Sequence, residues 1–366
     1  MAQNILITGA AGYIGGSVMN GILSHNDQNM KNAKIFAAVR SQDHIDKISK
    51  LERVRALNID LTDKTAIERE IELNKTFIVD LVVHTAASWD PSMMIAIIGA
   101  LGKRRRTSGA KTYLIHASKT QRQGTSVASM FTEEGGWPYG EVRDTDAILD
   151  KEREIGLENP VRKTNISLAD ESKAQGVETF NMAVPMTYGT GSGEVRKLSV
   201  NIPALVRTSV KLKTVYKFDN DSCAGTVHID DLTDLYVLLV NKIVNQEPIA
   251  VDNDRYFFVV AHREHWWKVM NKIAKNLYAR GLVTEPTPKI WPNYDIAAES
   301  LGFPRKFIVP MCMTNGDLVP VNGDKLGWKP KWDSEEKFLD LLDQEIDDIL
   351  NLDTAGTSLF NELLKH

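Results

Sequence analysis

Cysteine is nearly absent: Cys223 and Cys312 are the only two in 366 residues, with no disulfide framework and no metal-ligand spacing around them. Basic charge is not in excess either. The 44 lysines and arginines against 48 acids leave a net charge of −4, which argues against a general nucleic-acid binder. No apolar run approaches the roughly 18 residues of a membrane span. A strand-like run already begins at Asn4, leaving no room for a secretory signal after Met1. These absences predict a cytoplasmic protein with no nucleic-acid or membrane partner. His84, His116 and His228 sit in apolar, strand-like runs, where core or supporting roles fit better than metal ligation.

What is present is an ordinary globular composition, 43% hydrophobic and 25% charged, long enough for one large domain or two smaller ones. The basic run at 103–106, "KRRR", closes the apolar stretch "SMMIAIIGALG" and reads as the cationic end of a helix. Short apolar, often β-branched runs at 4–9, 34–40, 54–60, 79–87 and 111–118 alternate with helical patterns near 13–25, 41–52, 63–74 and 91–106. Such β-α repetition predicts a parallel sheet with right-handed crossovers. A sixth strand is expected over 179–189. Helices are expected at 199–213, 264–281 and 334–351, with a strand feeding a helix over 226–244 and another strand over 254–261.

The run "ILITGAAGYIGGSV" (5–18) places glycines where the first strand ends and the first helix begins. After Thr8, Gly9 permits a tight turn and Gly12 lets backbone amides approach a pyrophosphate. Gly15 lets the helix lie close to the sheet, and the helix N-terminus offers unpaired donors. Dinucleotide binding follows, with a structural turn as the competing reading. The second strand ends in Arg40 and Ser41 rather than an acid, and a guanidinium suits a 2′-phosphate. NADP(H) is therefore favoured over NAD(H), unless Arg40 merely stacks on adenine or faces solvent. Asp60, followed by Leu61, is placed to meet the adenine amino group, with helix capping as its alternative.

At this point the chain resembles the short-chain dehydrogenase/reductase superfamily in its extended, atypical branch, and most of all fungal NAD(P)-dependent epimerase/dehydratase-like proteins. The matching pieces are "TGAAGYIG" (8–15), "NIDLTD" (58–63), "HTAAS" (84–88), "LIHAS" (114–118), "VPMTYGTG" (184–191), "VHIDDLTDLY" (227–236) and "LGWKPKW" (326–332). The resemblance implies an α/β fold: a Rossmann-type, doubly wound parallel sheet with a smaller C-terminal substrate-binding region. Residues 1–190 would form the dinucleotide-binding domain and 191–366 mainly the substrate region, with segments near 215–260 returning to the sheet. It also implies one cleft surrounded by Thr8, Gly9, Gly12, Tyr13, Ile14, Gly15, Arg40, Ser41, Asp60, Leu61, Thr85, Ala86, Ala87, Ser118, Lys163 and Pro185. A homodimer and a small-molecule substrate are implied as well.

Members of this superfamily pair a serine or threonine on the fifth strand, here Ser118, with a tyrosine four residues before a lysine. No YxxxK occurs anywhere in the chain. Lys163 stands 22 residues before Pro185 (185 − 163 = 22), close to the family's lysine spacing, but Asn159 then occupies the tyrosine's place. Asparagine can donate a hydrogen bond and cannot give up a proton near neutral pH. Candidate proton carriers are Tyr139, four residues before Arg143, and Tyr188, Lys163 or a water held by Ser118. Tyr188 fits a core role better. Asp230 and Asp231 read as caps of the helix they open. The expected activity is an NADP(H)-dependent oxidoreductase acting on a small or medium carbonyl or alcohol compound. An epimerase, isomerase or lyase with bound NAD(P), and a non-catalytic NAD(P)-sensing regulator, remain alternatives.

Overall fold

Seven short apolar runs pair side by side, all parallel, into one sheet. They are β1 (Asn4–Thr8), β2 (Lys34–Val39), β3 (Val54–Asn58), β4 (Leu81–His84), β5 (Tyr113–Ser118), β6 (Glu178–Ala183) and β7 (Tyr256–Phe258). Their order in space is β3-β2-β1-β4-β5-β6-β7, which reverses direction beside β1. The structure is a computed structural model that describes residues 4–73, 79–87, 90–118, 139–251 and 254–352.

Strand periodicity sends alternate side chains to opposite faces. Ile5, Ile7, Val83, Ile115 and Phe180 pack under α1 (Tyr13–Ser24) and the long helix over Ile229–Val244. Leu6, Phe36, Val82 and Leu114 face α2 (Pro91–Ser108) and the helix over Pro160–Gln175. Helices cover both faces, which is why the strands read as nearly continuous apolar runs. The sheet is the doubly wound Rossmann type. Local chemistry sets the helix ends. Asp90 accepts from the Ser92 amide at 2.9 Å, Pro91 starts α2, and Gly109 ends it at φ +71°. The basic run lies in the last turns of α2, where Arg104 pairs with Asp80 at 3.2 Å.

The glycine turn is a packing solution before it is anything else. Gly9 sits at φ +70°, and the Gly12 amide donates to its carbonyl at 2.8 Å. A Cβ at Gly9 would lie 2.8 Å from the Thr85 hydroxyl oxygen and 2.9 Å from the Ala86 nitrogen. One at Gly15 would overlap the Gly9 carbonyl oxygen and the Thr85 hydroxyl. Gly12 caps α1 without any side-chain bond, so the first-turn amides open onto the strand ends.

The chain passes twice from the main sheet to a second one. The run over 179–189 leaves the main sheet after Ala183, and Met186–Tyr188 pairs instead with Cys223–His228. Pro185, at the bend, has no N–H for a ladder. Likewise β7 ends at Phe258, and His262–His265 pairs antiparallel with Cys223–His228. Around this second sheet, α5 (Asn201–Leu212), α7 (Trp266–Ala279) and α8 (Glu335–Asn351) form a separate core through Ile202, Val206, Val269, Ile273, Phe338 and Ile346. Hereafter α3 is Ile148–Ile155, α4 is Pro160–Gln175 and α6 is Ile229–Val244.

Asp231 does something other than cap α6. The cap is His228, whose ring nitrogen accepts from the Asp230 amide at 3.2 Å. The Asp231 carboxylate instead accepts from the Lys331 and Trp332 amides at 2.8 and 2.9 Å. The Trp328 indole donates to its carbonyl at 2.8 Å, so the "LGWKPKW" segment is strapped to the first turn of α6.

Two stability predictions follow from these contacts. Gly15→Ala should cost about 2 kcal/mol by overpacking, whereas Gly99→Ala, in α2 with nothing within 4 Å of its Cβ, should gain about 0.5–1 kcal/mol. Urea unfolding of both variants checks the contrast. Glu264 is buried with neither carboxylate oxygen hydrogen-bonded among the described residues, and burial raises its pKa to about 9. Because the unfolded chain ionises this group near 4.5, stability should fall as pH rises from about 4.5 towards 9. Glu264→Gln should flatten that fall in calorimetry, raising Tm by on the order of 2 °C at pH 8 and leaving it unchanged near pH 4.

Candidate active site

The C-terminal ends of β1, β2, β4 and β5 carry most of the residues singled out from the sequence. The Thr8 hydroxyl is paired with His84 Nδ1 at 2.7 Å, and the Thr85 hydroxyl donates to the Thr8 carbonyl at 2.7 Å. Both contacts brace the glycine turn from below. Tyr13 and Ile14 are buried. The Tyr13 phenol donates to the carbonyls of Tyr188 and Gly189, at 2.9 and 2.7 Å, and burial holds its pKa well above the usual phenol value. Tyr13 therefore offers a ligand its backbone, while its ring pins the "YGTGSG" loop over α1. At Gly193 of that loop an added Cβ would lie 2.9 Å from the Gly16 Cα.

Arg40 is exposed immediately after β2 and makes no ion pair among the described residues. Ser41 caps the helix over Gln42–Ile48, its hydroxyl accepting from the His44 amide at 3.3 Å. Asp60 is exposed after β3, and its carboxylate accepts from the Thr62 amide and hydroxyl at 2.9 and 2.7 Å. Those bonds, with a smaller contribution from the Arg40 charge, hold its pKa below the usual carboxylate range. The cap of the following helix is Asp63, not Asp60. Leu61 is buried in the cluster against which Ala86 and Ala87 pack.

Ser118 ends β5 and is 1% exposed. Its hydroxyl donates to Asn165 Oδ1 at 2.9 Å. Asn165 lies on the buried stripe of α4 with Val161, Leu168 and Ser172, whereas Lys163 is on the exposed side of that helix. Asn159 is the helix cap, accepting from the Val161 amide at 2.9 Å. Tyr139 is half-buried and packs on the cluster formed by Val142, Ile148, Ala183 and Phe258; residues 133–138 of its glycine- and proline-rich stretch lie outside the described residues. Its phenol is near enough to the buried Arg162 guanidinium for the two to interact electrostatically. Pro185 is buried at the bend between the two sheets. Tyr188 is a core residue, packed on Phe338 with ring centroids 4.2 Å apart and bonded to His262 Nε2 at 3.0 Å.

Asn165, Glu152 and Tyr256 escaped the sequence reading. A polar residue on the apolar stripe of α4 was the available signal for Asn165. Glu152 and Tyr256 meet it only through tertiary structure, because Glu152 comes from α3 and Tyr256 from β7. Beneath them a polar row crosses the sheet in register: Thr8 beside His84, then His116, Asn181 and Tyr256. His84 and His116 stack with centroids 5.6 Å apart. Burial pushes the His84 pKa down to about 4 and His116 well below its usual value, so both rings are neutral.

Residues 6–97 match the 3-beta hydroxysteroid dehydrogenase/isomerase family. Oxidase ucsJ of Acremonium sp is 24% identical over 298 residues, 77% of this chain and 81% of its own length. UDP-glucose 4-epimerase of Thermotoga maritima, solved with UDP-glucose, superposes with a TM-score of 0.61 at 17% identity, over 95% of this chain and 100% of that one. UDP-glucuronic acid 4-epimerase of Bacillus cereus, solved with UDP-glucuronic acid and NAD, gives 0.59 at 16% identity, over 95% and 99%. The dTDP-glucose 4,6-dehydratase of Bacillus anthracis, solved with NAD, gives 0.60 at 13% identity, over 94% and 96%. With this strand order and glycine turn, the chain shares the Rossmann-type α/β fold of these epimerases and this dehydratase, and its first quarter matches the 3-beta hydroxysteroid dehydrogenase/isomerase family.

Proposed function

We propose that the protein is an NADP(H)-dependent oxidoreductase that interconverts a small or medium alcohol and its carbonyl compound. The observation that carries this reading is the cradle at the β1–α1 turn. Gly9 and Gly15 leave no room for a Cβ, and α1 begins without a side-chain cap, with the Gly15 position packed on Thr85, just after β4, the strand that pairs with the Ser118-bearing β5. That arrangement suits a pyrophosphate bound by backbone amides. Asp60 and Leu61 would meet the adenine, Arg40 and Ser41 a ribose 2′-phosphate, Thr85, Ala86, Ala87 and Pro185 the rest of the cofactor, and Lys163 its second ribose. When bound, the nicotinamide supplies the acceptor or donor of hydride. The overall reaction is alcohol plus oxidised cofactor giving carbonyl compound, reduced cofactor and one proton.

The protein's own part is positioning and proton handling. Ser118 orients the reacting oxygen. Tyr139, with the Arg162 guanidinium nearby, is the group for proton transfer. The name of the Acremonium relative supports redox chemistry. A second reading, an epimerase or dehydratase that oxidises its substrate transiently, draws on the similarity to such enzymes over 95% of the chain.

Titration by fluorescence should show NADPH binding more tightly than NADH. Arg40→Ala should weaken NADPH about tenfold and leave NADH nearly unchanged, as loss of one charge-assisted bond predicts. Equal affinities in the wild type would remove Arg40 from the site. A panel of alcohols, ketones and aldehydes, followed by absorbance of the reduced cofactor, tests turnover, and Ser118→Ala should lower it on the order of 100-fold. Tight cofactor binding with no absorbance change on any compound counts against net oxidoreduction.

A further inference from the structure

Ser118 is held by a chain of three buried partners from three other elements. Its hydroxyl donates to Asn165 Oδ1 at 2.9 Å, and Asn165 Nδ2 donates to Glu152 Oε1 at 2.8 Å. The other carboxylate oxygen, Glu152 Oε2, accepts from the Tyr256 phenol at 2.6 Å. Glu152 is 0% exposed, Asn165 1% and Tyr256 4%. Among the described residues, the Arg162 guanidinium, itself 4% exposed, is a positive charge in reach of Glu152, and the Asn181 side chain lies beside the Tyr256 phenol.

With Glu152 ionised, donor and acceptor inventories fix the direction of every bond in this chain. An ionised carboxylate only accepts, so Glu152 demands a donor from each side. Tyr256 supplies its O–H. Asn165 must turn its NH₂ towards Glu152, which turns its carbonyl towards Ser118. Ser118 has one proton, and Asn165 takes it. What Ser118 presents elsewhere is lone pairs. A carbonyl substrate has no proton to offer those lone pairs, whereas a hydroxyl does. To serve a carbonyl oxygen, Ser118 would have to abandon Asn165 and leave a buried amide oxygen without a donor.

We propose that Asn165, Glu152 and Tyr256 are positioning residues that hold Ser118 as a hydrogen-bond acceptor, so that the cleft selects the alcohol over the matching carbonyl compound. The inference rests on the oxidoreductase reading for its substrate, but not for its polarity. A neutral amide at position 152 accepts with one end and donates with the other. It would let Asn165 reverse and return the Ser118 proton to the cleft.

Three measurements test this. In ligand-free protein at neutral pH, the infrared difference between wild type and Glu152→Gln should show loss of an ionised-carboxylate band. Loss of a carboxylic-acid carbonyl band instead overturns the proposal. Neutron diffraction of the perdeuterated wild type requires no variant to fold. It should place the Ser118 deuteron towards Asn165 and none on Glu152; a deuteron aimed into the cleft overturns the proposal. For the alcohol–ketone pair that turns over in the panel, the wild-type KM for the alcohol should be roughly fivefold lower than for the ketone. Glu152→Gln should bring that ratio near one, and an unchanged ratio overturns it. Failure of cofactor binding would sink the oxidoreductase reading while leaving the first two results standing.

Discussion

The fold is registered on one close approach, the first turn of α1 lying against the ends of β1 and β4. The Gly9 carbonyl and the Thr85 hydroxyl fill the space that a side chain at Gly15 would need. The same turn organises the second core. Tyr13 reaches across to the carbonyls of Tyr188 and Gly189, and Gly16 meets Gly193 backbone to backbone. Glu345 of α8 then accepts from the Gly189 amide at 3.2 Å, and burial with the nearby Asp348 charge pushes its pKa up to about 7. These glycine contacts thus set where the C-terminal helices stand relative to the sheet. Movement of this turn would be felt on both sides of the cleft.

The second feature is the amount of polarity buried below the strand ends. Most proteins satisfy buried polar groups or do without them. Here both ring nitrogens of His116 and both side-chain atoms of Asn181 have no hydrogen-bond partner by distance and angle among the described residues, and they lie in the row that ends at Tyr256. Local rules of this kind are broken where function compensates. The row also insulates the site. Neutral imidazoles beneath the cleft add no charge to it, and among the described residues Glu152 and Arg162 are charges tied to the Ser118 hydrogen-bond chain.

Much of the architecture was legible along the chain because it depends on short-range pattern. Short apolar runs marked the main-sheet strands, and the glycine spacing marked the first turn. The helix over 334–351 was legible in the same way, whereas Ser118 was singled out through the resemblance to a superfamily with a serine or threonine at that strand end. The readings that changed concern where a run stops. The stretch over 179–189 looks continuous in hydrophobicity, and only pairing with Cys223–His228 shows that its two halves serve different sheets. Asp231 has the position of a cap and is used by a segment about 100 residues later, which no local signal announces.

By itself, then, the order of residues determined the strand–turn–helix start, the parallel sheet and the serine at the end of β5, since each follows from neighbours within a few positions. Tertiary structure decided what surrounds that serine. Asn165, Glu152 and Tyr256 come from α4, α3 and β7, and their hydrogen bonds exist only when the sheet brings those elements together. It also decided that Asn165 is buried while Lys163 is exposed, because the helix register against the sheet settles which side chains of α4 are covered.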